Sequence, residues 1–89
     1  MKFITSHPYI VILRKIEWNE QKYIETQHQL RLFEDRILSS ANEFQLDNVY
    51  DVSHRTSFLY LHTNQGVFSY QIKEDPIKFM NAFKGLKQI

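Results

Sequence analysis

Residues 57–86 read SFLYLHTNQGVFSYQIKEDPIKFMNAFKGL, two alternating runs and an amphipathic segment joined with almost no linker. From Ser57 to Thr63, Phe58, Tyr60 and His62 alternate with Leu59, Leu61 and Thr63, the period of two that a strand requires. Thr63-Asn64-Gln65-Gly66 supplies a polar reversal, because Asn and Gly accept a positive φ most readily. Val67 to Lys73 runs back, with Phe68, Tyr70 and Ile72 opposing Val67, Ser69 and Gln71. The stretch predicts a β-hairpin. A helix follows at about 76–87: Asp75 accepts from the free amides of the first turn, and Pro76 suits the first helical position. Phe79, Phe83 and Leu86 fall at i, i+4 and i+7 with Met80 beside them, an apolar stripe backed by Lys78, Asn81 and Lys84. Lys84 and Lys87 stand near the C-terminal end, where the helix dipole favours cations.

Upstream, Thr5-Ser6-His7-Pro8 reads as an extended lead-in. Tyr9 to Trp18 reads as the first strand. Its core Tyr9-Ile10-Val11-Ile12-Leu13 is apolar on both faces, so both faces are expected to be covered or to lie against the helix. Asn19 and Glu20 form the expected turn. Lys22 to Phe33 keeps a strand phase through Ile24, Thr26, His28, Leu30 and Leu32, with a bulge expected near Thr26-Gln27-His28. A helix over Glu20 to Ser39 is the alternative, since Gln, Glu, Leu and Arg favour helices and neither Gly nor Pro interrupts them. Short strands are then expected at Arg36–Ser40, Phe44–Leu46 and Val49–Ser53, separated by turns at Glu34-Asp35, Ala41-Asn42-Glu43 and Asp47-Asn48. The fold class is α+β, mostly β, with about seven antiparallel strands in a meander and one C-terminal helix.

Length and composition bound the function. The chain has 89 residues and no repeat, so residues 1–89 are expected to form a single domain. Cysteine is absent, which removes thiolate chemistry and suits a reducing compartment. Ile10 to Leu13 is broken by Arg14 and Lys15, too short an apolar run for a membrane span. The expectation is a soluble, cytoplasmic protein. Formal charge is +1 with the signs interleaved. A nucleic-acid partner is not expected, because no concentrated basic footprint exists unless folding gathers Arg14, Lys15, Lys22 and Arg31.

Phe44-Gln45-Leu46-Asp47-Asn48-Val49-Tyr50-Asp51-Val52-Ser53, the hairpin Phe58 to Val67, and Asp75-Pro76-Ile77-Lys78-Phe79 together resemble the pleckstrin-homology superfold, especially its bacterial branches. The same words resemble small uncharacterised proteins of Bacillus-like bacteria. The resemblance implies a partly open barrel capped by the helix. It also implies binding of lipid, peptide or protein, since this superfold serves all three. Phosphoinositide-binding members place basic residues in the loop joining the first two strands. Here that loop is Trp18-Asn19-Glu20-Gln21, flanked by Arg14, Lys15 and Lys22 but holding Glu20.

Catalytic and metal motifs are weak. Asp51 and His54 are the closest metal-ligand pair, yet three-residue spacing in a strand points them to opposite faces. Asp51, Ser53 and His54 contain triad residue types without a strained turn or an oxyanion hole. Two glycines leave no phosphate loop. No cofactor, metal or catalytic residue is therefore assigned. Trp18 is expected in the core, with an interface anchor as the alternative; Tyr23, Ile77 and Ile89 fall off the core pattern. The expected function is a small non-enzymatic binding module that holds a protein or peptide through a sheet edge or a helix-flanking groove, compatible with a homodimer. The alternative is a module for anionic lipid. The candidate surface is Arg14, Lys15, Trp18, Lys22 and Tyr23.

Overall fold

The computed structural model describes residues 2–87. Seven strands form one antiparallel sheet: β1 (Phe3–Glu17), β2 (Glu20–Phe33), β3 (Arg36–Leu38), β4 (Glu43–Gln45), β5 (Val49–Arg55), β6 (Phe58–Thr63) and β7 (Gly66–Gln71). One helix, α1 (Ile77–Lys87), ends the described chain. The spatial order is β4-β3-β2-β1-β7-β6-β5, so two meanders meet where β1 lies beside β7, at Ile10 opposite Gln71. A single 3-10 turn, Leu46–Asn48, carries the chain from β4 to β5, the two outer strands of an open sheet.

The alternating faces sort as their polarity demands. Leu59, Leu61, Val49 and Val52 point into the core, together with Leu30, Leu32 and Ile37 from the other meander. Helix α1 lies against β1 and β5 and seals this core with Phe79 and Phe83, each 1% exposed, so one apolar stripe bridges both halves of the sheet. Asp75 Oδ1 accepts from the Ile77 amide at 3.2 Å, the expected N-terminal cap. Lys87 Nζ donates to the Leu46 carbonyl at 2.9 Å and pins the last turn to the crossover. Thr63 is buried but satisfied, since its hydroxyl donates to Gly66 O and accepts from the Gln65 amide.

The first hairpin departs most from expectation. The strand begins at Phe3, so Thr5 to Pro8 belongs to it and is no separate lead-in. Pro8 is tolerated because β7 reaches β1 only at Ile10, leaving no ladder partner for the amide that proline lacks. The chain reverses at Trp18-Asn19, with φ of 51° and 63°, and Glu20 already belongs to β2. Residues 20–33 are strand throughout, which settles the choice against a helix. No bulge occurs at Thr26-Gln27-His28. The register runs unbroken from Thr5 opposite Leu32 to Glu17 opposite Glu20, and the one irregularity falls between Phe3 and Thr5. Thr26 is accommodated because its hydroxyl bonds to Val11 O and to His28 Nε2. Cover on both faces of Tyr9 to Leu13 holds for Tyr9 and Ile10, with Val11 half-buried; Ile12 and Leu13 lie past the one β7 pairing at Ile10, where β7 has parted from β1, and are exposed. Ile77 is exposed too, and Ile89 lies outside the described residues. The third strand stops at Leu38, short of Ser40, because Ser39 turns to bond Asn42 O.

Candidate interaction surface

Beyond Ile10, β1 and β2 have no strand beside them. They leave the body as a two-stranded arm, and the molecule measures 55 × 23 × 23 Å. Its radius of gyration is 14.6 Å, where a compact chain of this length gives about 12 Å. Both turn residues have positive φ, the type I′ geometry whose twist matches that of the flanking strands.

The arm carries its apolar residues in water. Trp18 is 94% exposed, Ile16 73% and Tyr23 67%, with Leu13 at 52%, Ile12 at 46% and Ile24 at 42%. Trp18 is thus outside the core, contrary to the sequence expectation, because the tip stands away from the rest of the fold. These six side chains divide between the arm's two faces, Ile12, Ile16 and Tyr23 on one and Leu13 and Ile24 on the other, with Trp18 at the tip.

Cross-strand register decides which charges meet. Arg14 lies opposite Tyr23, and Lys15 opposite Lys22. Residues opposite one another share a face and neighbours alternate, so Arg14 and Tyr23 are on one face and both lysines on the other. Glu17 holds both lysines, at 2.9 Å from Lys15 and 3.6 Å from Lys22. The Gln21 side-chain oxygen accepts from the Tyr23 hydroxyl at 2.8 Å and from the Arg14 guanidinium. The five candidate residues therefore share the arm without forming one basic cluster, and Arg31 stands apart near the body, opposite Ser6.

The backbone of the arm offers more than its charges do. A two-residue turn makes Glu17 and Glu20 a hydrogen-bonded pair, and alternation from there turns the N–H and C=O groups of Gln21, Tyr23, Glu25 and Gln27 away from β1. Strand β3 engages β2 only at Arg31 and Leu32. The outer edge of β2 from Glu20 to Gln29 is therefore open, and it has neither the proline nor the bulge that usually protects an edge. Where that edge meets the body lies a depression of about 480 Å³, bordered by Gln27, Gln29, Arg31, Leu38 and Ser40. The groove beside the start of α1, about 530 Å³, is lined by Thr5 to Pro8 and by polar residues including Glu74, Asp75 and Lys78.

Comparison with protein-family models, with curated proteins and with solved structures found no match.

Three of the four histidines are engaged locally. His7 Nε2 meets Glu74 O at 3.1 Å, and the ring of His28 stacks on Tyr9. Ser53 Oγ lies 2.8 Å from His62 Nε2, so the histidine that meets Ser53 is His62 on the neighbouring strand and not the adjacent His54. Asp51 faces His62 across the ladder, but its Oδ1 accepts from the Val52 amide, so no carboxylate orients that imidazole. Among the described residues no three His, Asp or Glu side chains converge as metal ligands, and no helix is long and apolar enough to cross a membrane. In the sequence the arm shows only as an apolar run on both faces of β1 opposite a polar partner strand, a pattern that fits equally a strand covered on both faces or one lying against the helix.

Proposed function

We propose that the chain is a non-enzymatic, cytoplasmic binding module of pleckstrin-homology-like architecture that holds a protein partner along its β1–β2 arm. The carrying observation is the arm itself, which joins an open strand edge to six exposed apolar side chains. An open edge supplies main-chain hydrogen bonds, and the flanking side chains supply the selection. The strand order and the helix across both meanders support the architectural reading, and the absence of cysteine supports the compartment. The edge is favoured over the groove beside α1, which carries the charged side chains of Glu74, Asp75 and Lys78.

An anionic-lipid role is less well supported. Residues 11–26 contain Arg14, Lys15 and Lys22 against Glu17, Glu20 and Glu25, so the arm is formally neutral. Glu17 occupies both lysines, and Arg14 is on the other face. The discriminating experiment places a photocrosslinking amino acid at Tyr23 or, as control, at the exposed Asn81 of α1, and irradiates at high salt in lysate of the source cells. Protein adducts from position 23 and not from 81 are the expected result. Adducts to lipid alone, or the same adducts from both positions, would overturn the proposal.

A further inference from the structure

The open edge of β2 is complementary to itself. We propose that the arm's occupant is a second copy of this chain, its β2 antiparallel to the first about a twofold axis at Ile24; this rests on the arm being the binding element. In such a pair, residues opposite one another lie on the same face, so the axis must pass through a residue. Centring on Lys22 or Glu25 sets like charges directly opposite, which destabilises a sheet. Centring on Tyr23 sets Ile24 against Lys22. Centring on Ile24 sets Ile24 against its own copy, Tyr23 against Glu25, Lys22 against Thr26, Gln21 against Gln27 and Glu20 against His28.

Three further features agree with that register. The outward backbone groups of Gln21, Tyr23, Glu25 and Gln27 meet one another, as a ladder requires. Ile24 then falls in the non-hydrogen-bonded position, where side chains approach most closely. Because Leu13 lies opposite Ile24 within each arm, a row of Leu13, Ile24, Ile24 and Leu13 runs across four strands. That row covers two of the arm's exposed apolar residues.

Length agrees as well. In this register the turn of the second copy arrives at Gln29, where β3 begins to occupy the edge. Trp18 of the second copy is brought beside the depression bordered by Arg31, Leu38 and Ser40. The most exposed ring of the chain thereby meets the hollow at the base of the neighbouring arm. The edge of β1 is a poorer choice. It is open only over Val11–Glu17, and centring on Arg14 or Lys15 opposes like charges.

The chain has no cysteine, so single-cysteine variants report the register directly. Sedimentation of the wild-type chain should show a dimer at micromolar concentration. Ile24→Cys should crosslink to a covalent dimer on mild oxidation. Lys22→Cys should not, since it lies four residues, about 14 Å along the strand, from its own copy; the double variant Lys22→Cys/Thr26→Cys should. Trp18→Ala should weaken dimerisation about a thousandfold, since the twofold pair loses one interface hot spot from each copy. A monomer at hundreds of micromolar, or a dimer crosslinked through Lys22→Cys and not Ile24→Cys, overturns the inference. A monomer whose position 23 still photocrosslinks to a different protein overturns self-pairing while the binding module stands; a monomer without adducts removes both.

Discussion

Phe44 and Phe68 meet edge to face, with ring centroids 4.9 Å apart and planes at 64°. One ring comes from β4 and the other from β7, so the contact ties the two meanders together at a place where no backbone ladder joins these strands. Such a pair contributes about 1 kcal/mol beyond its buried area. Urea unfolding of Phe44→Leu, Phe68→Leu and the double variant should give a coupling of about 1 kcal/mol. Additive single effects would show that the rings merely fill space.

Tyr70 is buried, and its hydroxyl has no hydrogen-bond partner; the Ser39 and Asn42 side chains approach without closing one. Burial pushes the phenol above its ordinary value, because the fold prefers the neutral form. Up to the ordinary tyrosine range both folded and unfolded chains keep the proton, and nothing is lost. Above about pH 10 the unfolded chain ionises first, so stability falls as pH rises through the folded value. Tyr70→Phe should flatten that alkaline loss and raise neutral-pH stability by about 1 kcal/mol, since it removes an unpaired buried hydroxyl. Chemical denaturation at pH 7 and pH 11 measures both effects, and a less stable Tyr70→Phe would mean that the hydroxyl is satisfied.

How much of this was legible follows from which forces act locally. The hairpin 58–71 and α1 were readable because alternation, a Gly-containing turn and an Asp-Pro helix start are encoded within a few residues. Strand β2 was readable as extended, though its helical alternative fell only when the ladder to β1 was seen. The arm was not readable, because burial of Ile12 and Leu13 depends on where β7 parts from β1, a distant fact that no local pattern carries. The candidate residues Arg14, Lys15, Lys22 and Tyr23 all lie on the arm. Their separation onto two faces required the register.

Trp18 and Asn19 hold φ of 51° and 63°, a backbone that suits Asn and Gly far better than an indole-bearing residue. Trp18→Asn with Asn19→Gly should stabilise the chain by about 1 kcal/mol, seen as a higher urea midpoint with an unchanged slope at a concentration too dilute for pairing. A loss of stability would mean that Trp18 packs on the body in solution and that the arm folds back.

Helix α1 is the last element whose failure should be global. Its rings, Phe79 and Phe83, are sealed between β1 and β5, and Lys87 anchors its end to Leu46. Asp75→Ala removes the cap on Ile77 and should cost about 1 kcal/mol, leaving a cooperative transition. Phe83→Asp sets an unpaired carboxylate where an aromatic ring is 1% exposed, at a cost comparable with the whole stability of so small a domain. Circular dichroism should show Asp75→Ala folded with a lowered midpoint and Phe83→Asp without a folded baseline. A Phe83→Asp chain that kept its sheet signal and lost only helix would mean that the two meanders hold together without α1.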